Sequence, residues 1–304
     1  METQAKPSIW EGVTPYHVLV LIIASCGWLF DCMDQRIFVL GRESALKELL
    51  TGQGGDVTHE LKPYIGWATM WMIFGWATGG IIFGSLSDKI GRVKTMVLTL
   101  FVYSGFTGLS AFSQNTLDFT IYRFLVGLGI GGMFGSAAAL VAESVPTGIR
   151  SLALGSLQAL SATGNILGSL ISLWLPPGLM VTLMGWELAG WRALFLVGIL
   201  PSLLVIPIVL FLREPEPWKL ARQAALTGEK KHQLGKIPDL FSHPRWRHHT
   251  LVGLALGVSG MIGLWGIGFY TPELVTAALQ GESQATIDRV RSLSTASIRV
   301  GSRL

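Results

Sequence analysis

The stretch of sequence that decides the fold is Gly84–Thr95, which reads GSLSDKIGRVKT. It lies between two apolar runs, 63–83 and 96–112, and each is close to the length of about 20 residues that a helix needs to cross a bilayer. Its basic side chains are those of Lys89, Arg92 and Lys94. Short loops rich in Lys and Arg stay in the cytoplasm, so the stretch predicts a cytoplasmic turn between two membrane helices.

The two glycines and the charged pair of this turn follow a specific order, G-x-L-x-D-x-x-G-R-x-K. Gly91 permits a backbone conformation that a side chain would disfavour, and Gly84 is expected to let a helix end approach its neighbour. Asp88 and Arg92 are spaced to form an ion pair at the membrane surface. The stretch resembles the cytoplasmic loop signature of the major facilitator superfamily, which lies between the second and third helices of that family.

The composition excludes a soluble domain and a disordered chain, since 50% of the residues are hydrophobic, 14% are charged and the mean hydropathy is +0.51. The net charge of +4 comes from basic loops on one side of a membrane, and it indicates no nucleic-acid partner. Cys26 and Cys32 have neither disulfide-framework nor metal-site spacing. We expect no cofactor, no metal site and no enzyme activity.

Seven apolar segments predict an all-α, polytopic membrane bundle. The predicted spans are 16–39, 63–87, 95–112, 117–141, 151–175, 192–212 and 250–270. Basic residues concentrate in the loops that would face inward if the N-terminus is cytoplasmic. The sequence therefore predicts a multi-pass protein of the plasma membrane, the inner membrane of a bacterium, with a cytoplasmic N-terminus.

The hydrophilic stretch after the sixth span divides the chain into predicted units. These are a six-helix transmembrane bundle (1–212), a cytoplasmic linker (213–249), a seventh transmembrane helix (250–270) and a polar tail (271–304). The resemblance to the superfamily implies a first half made of two inverted three-helix units, followed by a second six-helix half. Since the tail is polar, we expect the chain to be truncated and unable to transport by itself.

The first span carries Asp31 and Asp34 on one helix face, because they are three residues apart. Asp31 and Arg123 of the fourth span are both predicted about 8–9 Å below the outer edge of the membrane. Two acids and one permanent cation at the same depth predict a proton- and anion-sensing cluster, or a purely structural ion pair. Arg36 is turned away from both acids, and we expect it to be a surface anchor.

Small and polar residues mark the fourth and fifth spans. Gly127, Gly131 and Gly135 have the four-residue spacing of close helix packing, and their place inside an apolar run argues against a nucleotide-binding loop. The fifth span has a polar stripe that includes Gln158 and Asn165. These two side chains would line a hydrated path, or would form hydrogen bonds with neighbouring helices.

The cytoplasmic end carries a predicted gating motif. Its members are Gly84, Asp88, Gly91, Arg92, Glu143 and Arg150. Glu143 lies about 30 Å along the fourth span from Arg123, so it reaches the same membrane surface as the turn at Gly91. Such a charge network could hold the cytoplasmic side shut in one state and release it in the other, although Arg150 alone is equally compatible with an ordinary loop charge.

Two further resemblances concern the branch of the superfamily. Asp31-x-x-Asp34 with Arg123 is similar to the acids and arginine implicated in transport in the aromatic acid/proton symporters, although Cys32 stands where that group has glycine. The passages around Arg123–Gly132, Glu143-Ser144-x-Pro146 and Glu214 with Trp218 are similar to the sugar porters. Arg213, Pro215, Glu216 and Pro217 depart from the sugar-porter pattern.

The sequence therefore predicts part of a secondary active transporter that couples protons to a small organic acid by alternating access. Protonation of Asp31 or Asp34 would accompany substrate binding, and Arg123 would attract the carboxylate or exchange partners with the acids. The driving force would be the proton gradient, and the partners would be protons, the substrate and the lipid bilayer. The alternatives are a sugar or polyol porter and a non-transporting membrane sensor or scaffold.

Overall fold

A computed structural model describes residues 10–183, 186–227, 241–242, 244–279 and 283–297. The described helices are α1 (Pro15–Gly52), α2 (Val57–Ile90), α3 (Arg92–Ser110), α4 (Thr116–Ser144), α5 (Arg150–Trp174), α6 (Gly190–Val197), α7 (Val205–Phe211), α8 (Glu216–Leu226), α9 (Pro244–Ala278) and α10 (Gln284–Ser297). A 3-10 helix (Leu200–Leu204) joins α6 to α7, and an antiparallel hairpin of β1 (Met180–Leu183) and β2 (Trp186–Ala189) precedes α6.

The predicted all-α bundle is confirmed, with the hairpin as the one sheet among the described residues. Five segments of the described chain are long and apolar enough to cross a membrane, namely α1 to α4 and Gly190–Phe211. Helices α5 and α9 occupy the positions of the other two predicted spans. The division into bundle, linker, seventh helix and tail stays a prediction.

Helix α1 is the central helix of the bundle. It packs against α2, α4, α5 and α6, and every residue from 31 to 42 is buried. At about 1.5 Å per residue its 38 residues extend well beyond the thickness of a bilayer core. We call the end of the bundle that contains Tyr16, Gly91 and Glu143 the basal end, and the end that contains Gly52 and Trp191 the distal end.

Helices α2 and α4 pack through glycines on both partners. A Cβ at Gly75 or Gly79 of α2 would clash with the backbone of α4, and a Cβ at Gly127 or Gly131 of α4 would clash with the backbone of α2. Each pair is spaced by four residues, which places both glycines on one helix face. The close packing predicted for Gly127 and Gly131 is therefore confirmed.

Two glycines that were expected to allow a close approach do not do so. A Cβ at Gly135, or at Gly84 before the turn, would meet no described atom within 4 Å. The prediction for these two positions is wrong because a four-residue spacing indicates which face a glycine is on, and does not indicate how far the neighbouring helix extends. Gly91 has φ of +114°, as its predicted conformational role requires.

The sixth predicted span, 192–212, is interrupted in the structure. Helix α6 ends before Gly198, and Pro201 lies within the 3-10 segment that follows. A Cβ at Gly198 would contact Thr107 of α3 and lie 3.0 Å from Oδ1 of Asp34. The interruption therefore brings the backbone at Gly198 close to the carboxylate of Asp34 on α1.

The glycine contacts generate a prediction about stability. Gly131→Val should lower the free energy of unfolding by about 1–3 kcal/mol, because the valine would be forced against the α2 backbone. Gly135→Val is the matched control, since it lies one turn away on the same helix with open space around it. The thermal unfolding of both variants in detergent provides the measurement, and equal midpoints would contradict the packing.

Candidate functional site

Two carboxylates lie inside the bundle, and we call Asp31, Asp34, Tyr103, Thr107 and Arg123 the core polar cluster. Both aspartates are 0% exposed. Asp31 interacts with the hydroxyl of Tyr103, and Asp34 interacts with the hydroxyl of Thr107, one turn further along α3. The two acids therefore share one face of α1, as their spacing predicts, and that face is directed towards α3.

The carboxylates of the core polar cluster lack geometrically complete hydrogen bonds. All four carboxylate oxygens of Asp31 and Asp34 are buried without a hydrogen bond of standard geometry in the described chain. The hydroxyls of Tyr103 and Thr107 are nevertheless near enough to stabilise their negative charge. A buried carboxylate without donors is costly unless it is neutralised. The cluster is therefore chemically suited to holding a proton.

The guanidinium of Arg123 is enclosed by aromatic rings and α3. Its Nη2 donates hydrogen bonds to Oγ of Ser110 and, at 3.4 Å, to the carbonyl oxygen of Phe106. Its Cζ lies over the rings of Phe38, Phe119 and Phe195, at 5.7, 5.7 and 4.8 Å from their centroids. Cation–π contacts of this kind stabilise a desolvated cation and fix its position.

The structure brings the three predicted residues of this cluster together. Asp34 and Arg123 attract each other electrostatically, although no described carboxylate lies within 4 Å of the Arg123 nitrogens. The side chains of Asp31, Asp34 and Arg123 are each 0% exposed. The hydroxyls of α3 were not predicted, although Tyr103 and Thr107 have the four-residue spacing that marks one helix face.

The interpretation of Arg36 as a surface anchor is wrong. Arg36 is 6% exposed, and its Nε donates a hydrogen bond of 3.0 Å to Oγ of Ser169 on α5. A Cβ at Gly168 would lie 2.8 Å from Cβ of Arg36, so the two helices are in close contact at this level. The prediction failed because depth in a membrane was estimated along α1 alone, without the neighbouring helix.

The two predicted cavity-lining residues of α5 lie in different environments. Gln158 is exposed on the bundle, whereas Asn165 is half-buried and donates a hydrogen bond of 3.0 Å to the carbonyl oxygen of Ser161 in its own helix. Their role in a substrate path stays a prediction.

At the basal end, Arg92 joins the turn to α4, and we call Asp88, Arg92, Glu143 and Glu214 the basal charge cluster. The guanidinium of Arg92 forms ion pairs of 2.8 Å with Asp88 and 2.7 Å with Glu143. It also donates a hydrogen bond of 2.8 Å to the carbonyl oxygen of Ser87. One largely buried arginine thus links the end of α2, the start of α3 and the end of α4.

Glu214 caps the N-terminus of α3 from a distant part of the chain. Its carboxylate accepts hydrogen bonds from the backbone N–H groups of Arg92, Val93 and Lys94, at 2.7, 3.1 and 3.3 Å. A carboxylate at this position satisfies otherwise unpaired donors and complements the helix dipole. Nearby, Nε1 of Trp218 donates a hydrogen bond of 2.8 Å to the carbonyl oxygen of Asp88.

The profile of the Major Facilitator Superfamily matches residues 53–296 of the sequence. The chain belongs to the major facilitator superfamily. Its sequence is similar to a metabolite transport protein of Haemophilus influenzae, with 36% identity over 270 residues, which are 88% of this chain and 61% of the relative. The superfamily consists of transporters, and the chain is accordingly not an enzyme.

Other relatives support the same branch of the superfamily. The sialic acid transporter NanX of Escherichia coli is 35% identical over 214 residues, covering 69% of this chain and 47% of the relative. The benzoate transport protein of Acinetobacter baylyi is 28% identical over 212 residues, covering 66% and 40% respectively. The predicted resemblance to the metabolite and aromatic acid transporters is therefore confirmed, and the chain spans about half the length of these relatives.

A solved structure shows the same fold. The crystal structure of a D-xylose-proton symporter superposes with a TM-score of 0.69 at 18% identity, covering 92% of this chain and 66% of the symporter. With its apolar helices and this superfamily fold, the chain is a multi-pass membrane protein.

Three members of the predicted superfamily gating motif, namely Gly84, Gly91 and Arg150, are not part of the basal charge cluster. Arg150 forms no ion pair within 4 Å with the described residues, and its Nε is buried without a hydrogen-bond partner there. A Cβ at Gly84 would meet no described atom within 4 Å. Next to the cluster, a cavity of about 320 Å³ is lined by residues of α1, α4, the segment that precedes α8 and the first turn of α8. Its lining includes Tyr16, His17, Glu143, Arg213 and Glu214.

The cap on α3 generates a prediction about stability. Glu214→Ala should lower the free energy of unfolding by about 1–3 kcal/mol, because three backbone N–H groups lose a charged acceptor. Glu216→Ala is the control. Among the described residues the carboxylate of Glu216 forms a single ion pair, an exposed one with Lys219, so its loss should have little effect. Thermal unfolding in detergent measures both, and a Glu214→Ala midpoint equal to that of the control would contradict the capping role.

Proposed function

We propose that this chain is part of a proton-coupled symporter for a small organic acid that works by alternating access. The observation that supports the proposal most strongly is the core polar cluster, in which two carboxylates and one guanidinium are 0% exposed within a bundle of membrane helices. Ionisable groups are expensive in that environment and usually belong to a proton relay or a substrate path. Relatives named as benzoate and sialic acid transporters are consistent with an acidic substrate.

The charge balance of the cluster explains how it would carry a proton. Asp31 and Asp34 are close enough to repel each other, and one guanidinium, that of Arg123, balances only one of the two negative charges. One proton shared by the two carboxylates makes the cluster neutral. Protonation would then accompany substrate binding, and release of the proton on the other side would accompany substrate release.

Arg123 is the fixed partner in this exchange. Three aromatic rings and Ser110 hold its guanidinium, so the carboxylates are the groups that change charge and hydrogen bonding around it. Because the guanidinium of Arg123 has a fixed position, a small movement of α1 would bring one of the two aspartates closer to it and move the other away.

The basal charge cluster would act as the gate on the cytoplasmic side. Arg92 bridges Asp88 and Glu143, and these ion pairs join α2, α3 and α4 at one end of the bundle. Breaking and re-forming such pairs is a common way of switching between two packed states. We propose that this end faces the cytoplasm of a bacterial inner membrane because Lys and Arg are concentrated in its loops.

Proton coupling can be tested by titrating benzoate into the purified protein in two buffers of different ionisation enthalpy. Benzoate binding should take up about one proton, so the affinity should rise as the pH falls. Asp31→Asn or Asp34→Asn should each remove this uptake, because the remaining carboxylate is already balanced by Arg123. Glu187→Gln, at an exposed position of β2, is the control and should keep it.

Two outcomes would contradict the proposal. Proton uptake that is unchanged in both asparagine variants would remove the core polar cluster from the coupling mechanism. Binding of hexoses in place of benzoate would favour the alternative, a sugar porter, for which the shared fold of the D-xylose-proton symporter is the supporting observation.

A further inference from the structure

We propose that Arg36 binds the carboxylate of the substrate, in a seam between α1 and α5 that is separate from the core polar cluster. The α1–α5 seam is defined by Arg36, Glu43, Ser169, Asp288 and Arg291. This inference rests on the proposed function and adds the residue that recognises the acid. In this inference Arg36 binds the substrate anion, whereas Arg123 balances the charge of Asp31 and Asp34.

Arg36 is a buried cation whose hydrogen bonds are incomplete. Its Nε donates to Oγ of Ser169, but its Nη2 is buried without a hydrogen-bond partner among the described residues. Leaving a charged donor buried and unpaired costs more than leaving a neutral one. A carboxylate is the natural partner, because it accepts two parallel hydrogen bonds from the planar guanidinium.

The carboxylates of the seam are already paired with a different arginine. Arg291 of α10 lies 3.0 Å from Glu43 and 3.7 Å from Asp288, and it is 3% exposed. Burial raises the pKa of Asp288, and the guanidinium of Arg291 opposes that shift. The contact of Arg291 with Glu43 is the shorter of its two ion pairs. Arg36 has no ion pair within 4 Å in the described chain, and it faces the positive charge of Arg291.

Packing fixes the stem of Arg36 and leaves small polar residues beside its head. A Cβ at Gly164 would clash with the Leu29 carbonyl oxygen, and a Cβ at Gly168 would press on Arg36. The next residue of α5 towards the distal end is Ser169, whose hydroxyl orients the guanidinium. A rigid, oriented arginine loses little entropy when a ligand binds.

Arg123 is less suited to this task. Three rings enclose its guanidinium, and Ser110 and the backbone of α3 accept hydrogen bonds from its Nη2. Its Nε and Nη1 are also buried without a hydrogen-bond partner in the described chain, so its enclosure by the three rings, rather than a full set of hydrogen bonds, separates it from Arg36. Arg36 lacks an aromatic enclosure among the described contacts. Its Nε donates a hydrogen bond to Oγ of Ser169, which in turn donates one to the carbonyl oxygen of Asn165.

The two sites are at the same level on opposite faces of α1. Asp34 and Arg36 are two residues apart, which is about 3 Å along the helix axis and about 160° around it. Substrate binding on one face and protonation on the other therefore act on the same short segment of α1. A small rotation or shift of that segment would couple them without direct contact between substrate and proton.

The test measures the binding of radiolabelled benzoate to the purified protein. Arg36→Gln should weaken binding at least about tenfold, since a hydrogen bond to a charged partner is lost, and Arg36→Lys should weaken it less because the charge remains. Arg42→Gln is the matched control. Arg42 is also a buried arginine of α1, but its Nη1 donates a hydrogen bond to Oγ1 of Thr69 on α2. We therefore expect Arg42→Gln to bind benzoate with an affinity within about threefold of that of the wild type.

A second measurement does not depend on removing the arginine. In Ser169→Cys, a small thiosulfonate reagent should form a mixed disulfide with the new thiol and release a sulfinate. Benzoate should slow this reaction and xylose should not, after subtraction of the reaction of Cys26 and Cys32 measured in the wild-type protein. Both Arg36 variants should elute as folded protein in size-exclusion chromatography.

The outcomes separate this inference from the proposed function. Benzoate binding that survives in Arg36→Gln and is lost in Arg123→Gln would overturn the role of Arg36 and leave the symporter proposal standing. Loss of thermal stability in Arg36→Gln with unchanged affinity would also overturn it, because Arg36 would then only hold α1 to α5. Absence of benzoate binding by the wild type, with a hexose bound instead, would overturn both.

Discussion

The structure depends on one constraint, which is that α1 carries charged side chains through a run of twelve consecutive buried residues, 31–42. These charges meet polar groups or rings of neighbouring helices, because a membrane bundle offers little water with which to solvate them. Asp31 and Asp34 face α3 and α4, Arg36 faces α5, and Arg42 faces α2 through Thr69. Side chains of four neighbouring helices thus meet the charged side chains of α1.

The same helices connect the buried charges to the basal end. Helix α4 contains Arg123 in its first half and Glu143 near its last residue, while α3 begins at Arg92 and carries Tyr103 and Thr107 further along. Two stiff helices therefore link the core polar cluster with the basal charge cluster. A change of protonation in the core that shifts α1 relative to α3 and α4 would reach Arg92 through these helices, provided that the cluster has two discrete arrangements.

Local patterns in the sequence predicted the features that depend on local geometry. The charged turn, the shared face of Asp31 and Asp34, and the packing of Gly127 and Gly131 all follow from helical periodicity. The features that could not be predicted depend on partners distant in sequence. Glu214 caps a helix that begins 122 residues earlier in the chain, and the burial of Arg36 requires knowledge of α5. Periodicity within one helix carries no information about such partners.

The central claim is that Asp34 and Arg123 balance each other inside the bundle, and a double-mutant cycle tests it most directly. The stabilities of Asp34→Asn, Arg123→Gln and the double variant would be measured by thermal unfolding at a pH near 7. The account predicts that the double variant loses less stability than the sum of the single variants, with a coupling of about 1–3 kcal/mol, because each single change leaves the other charge unbalanced. Additive losses would contradict it.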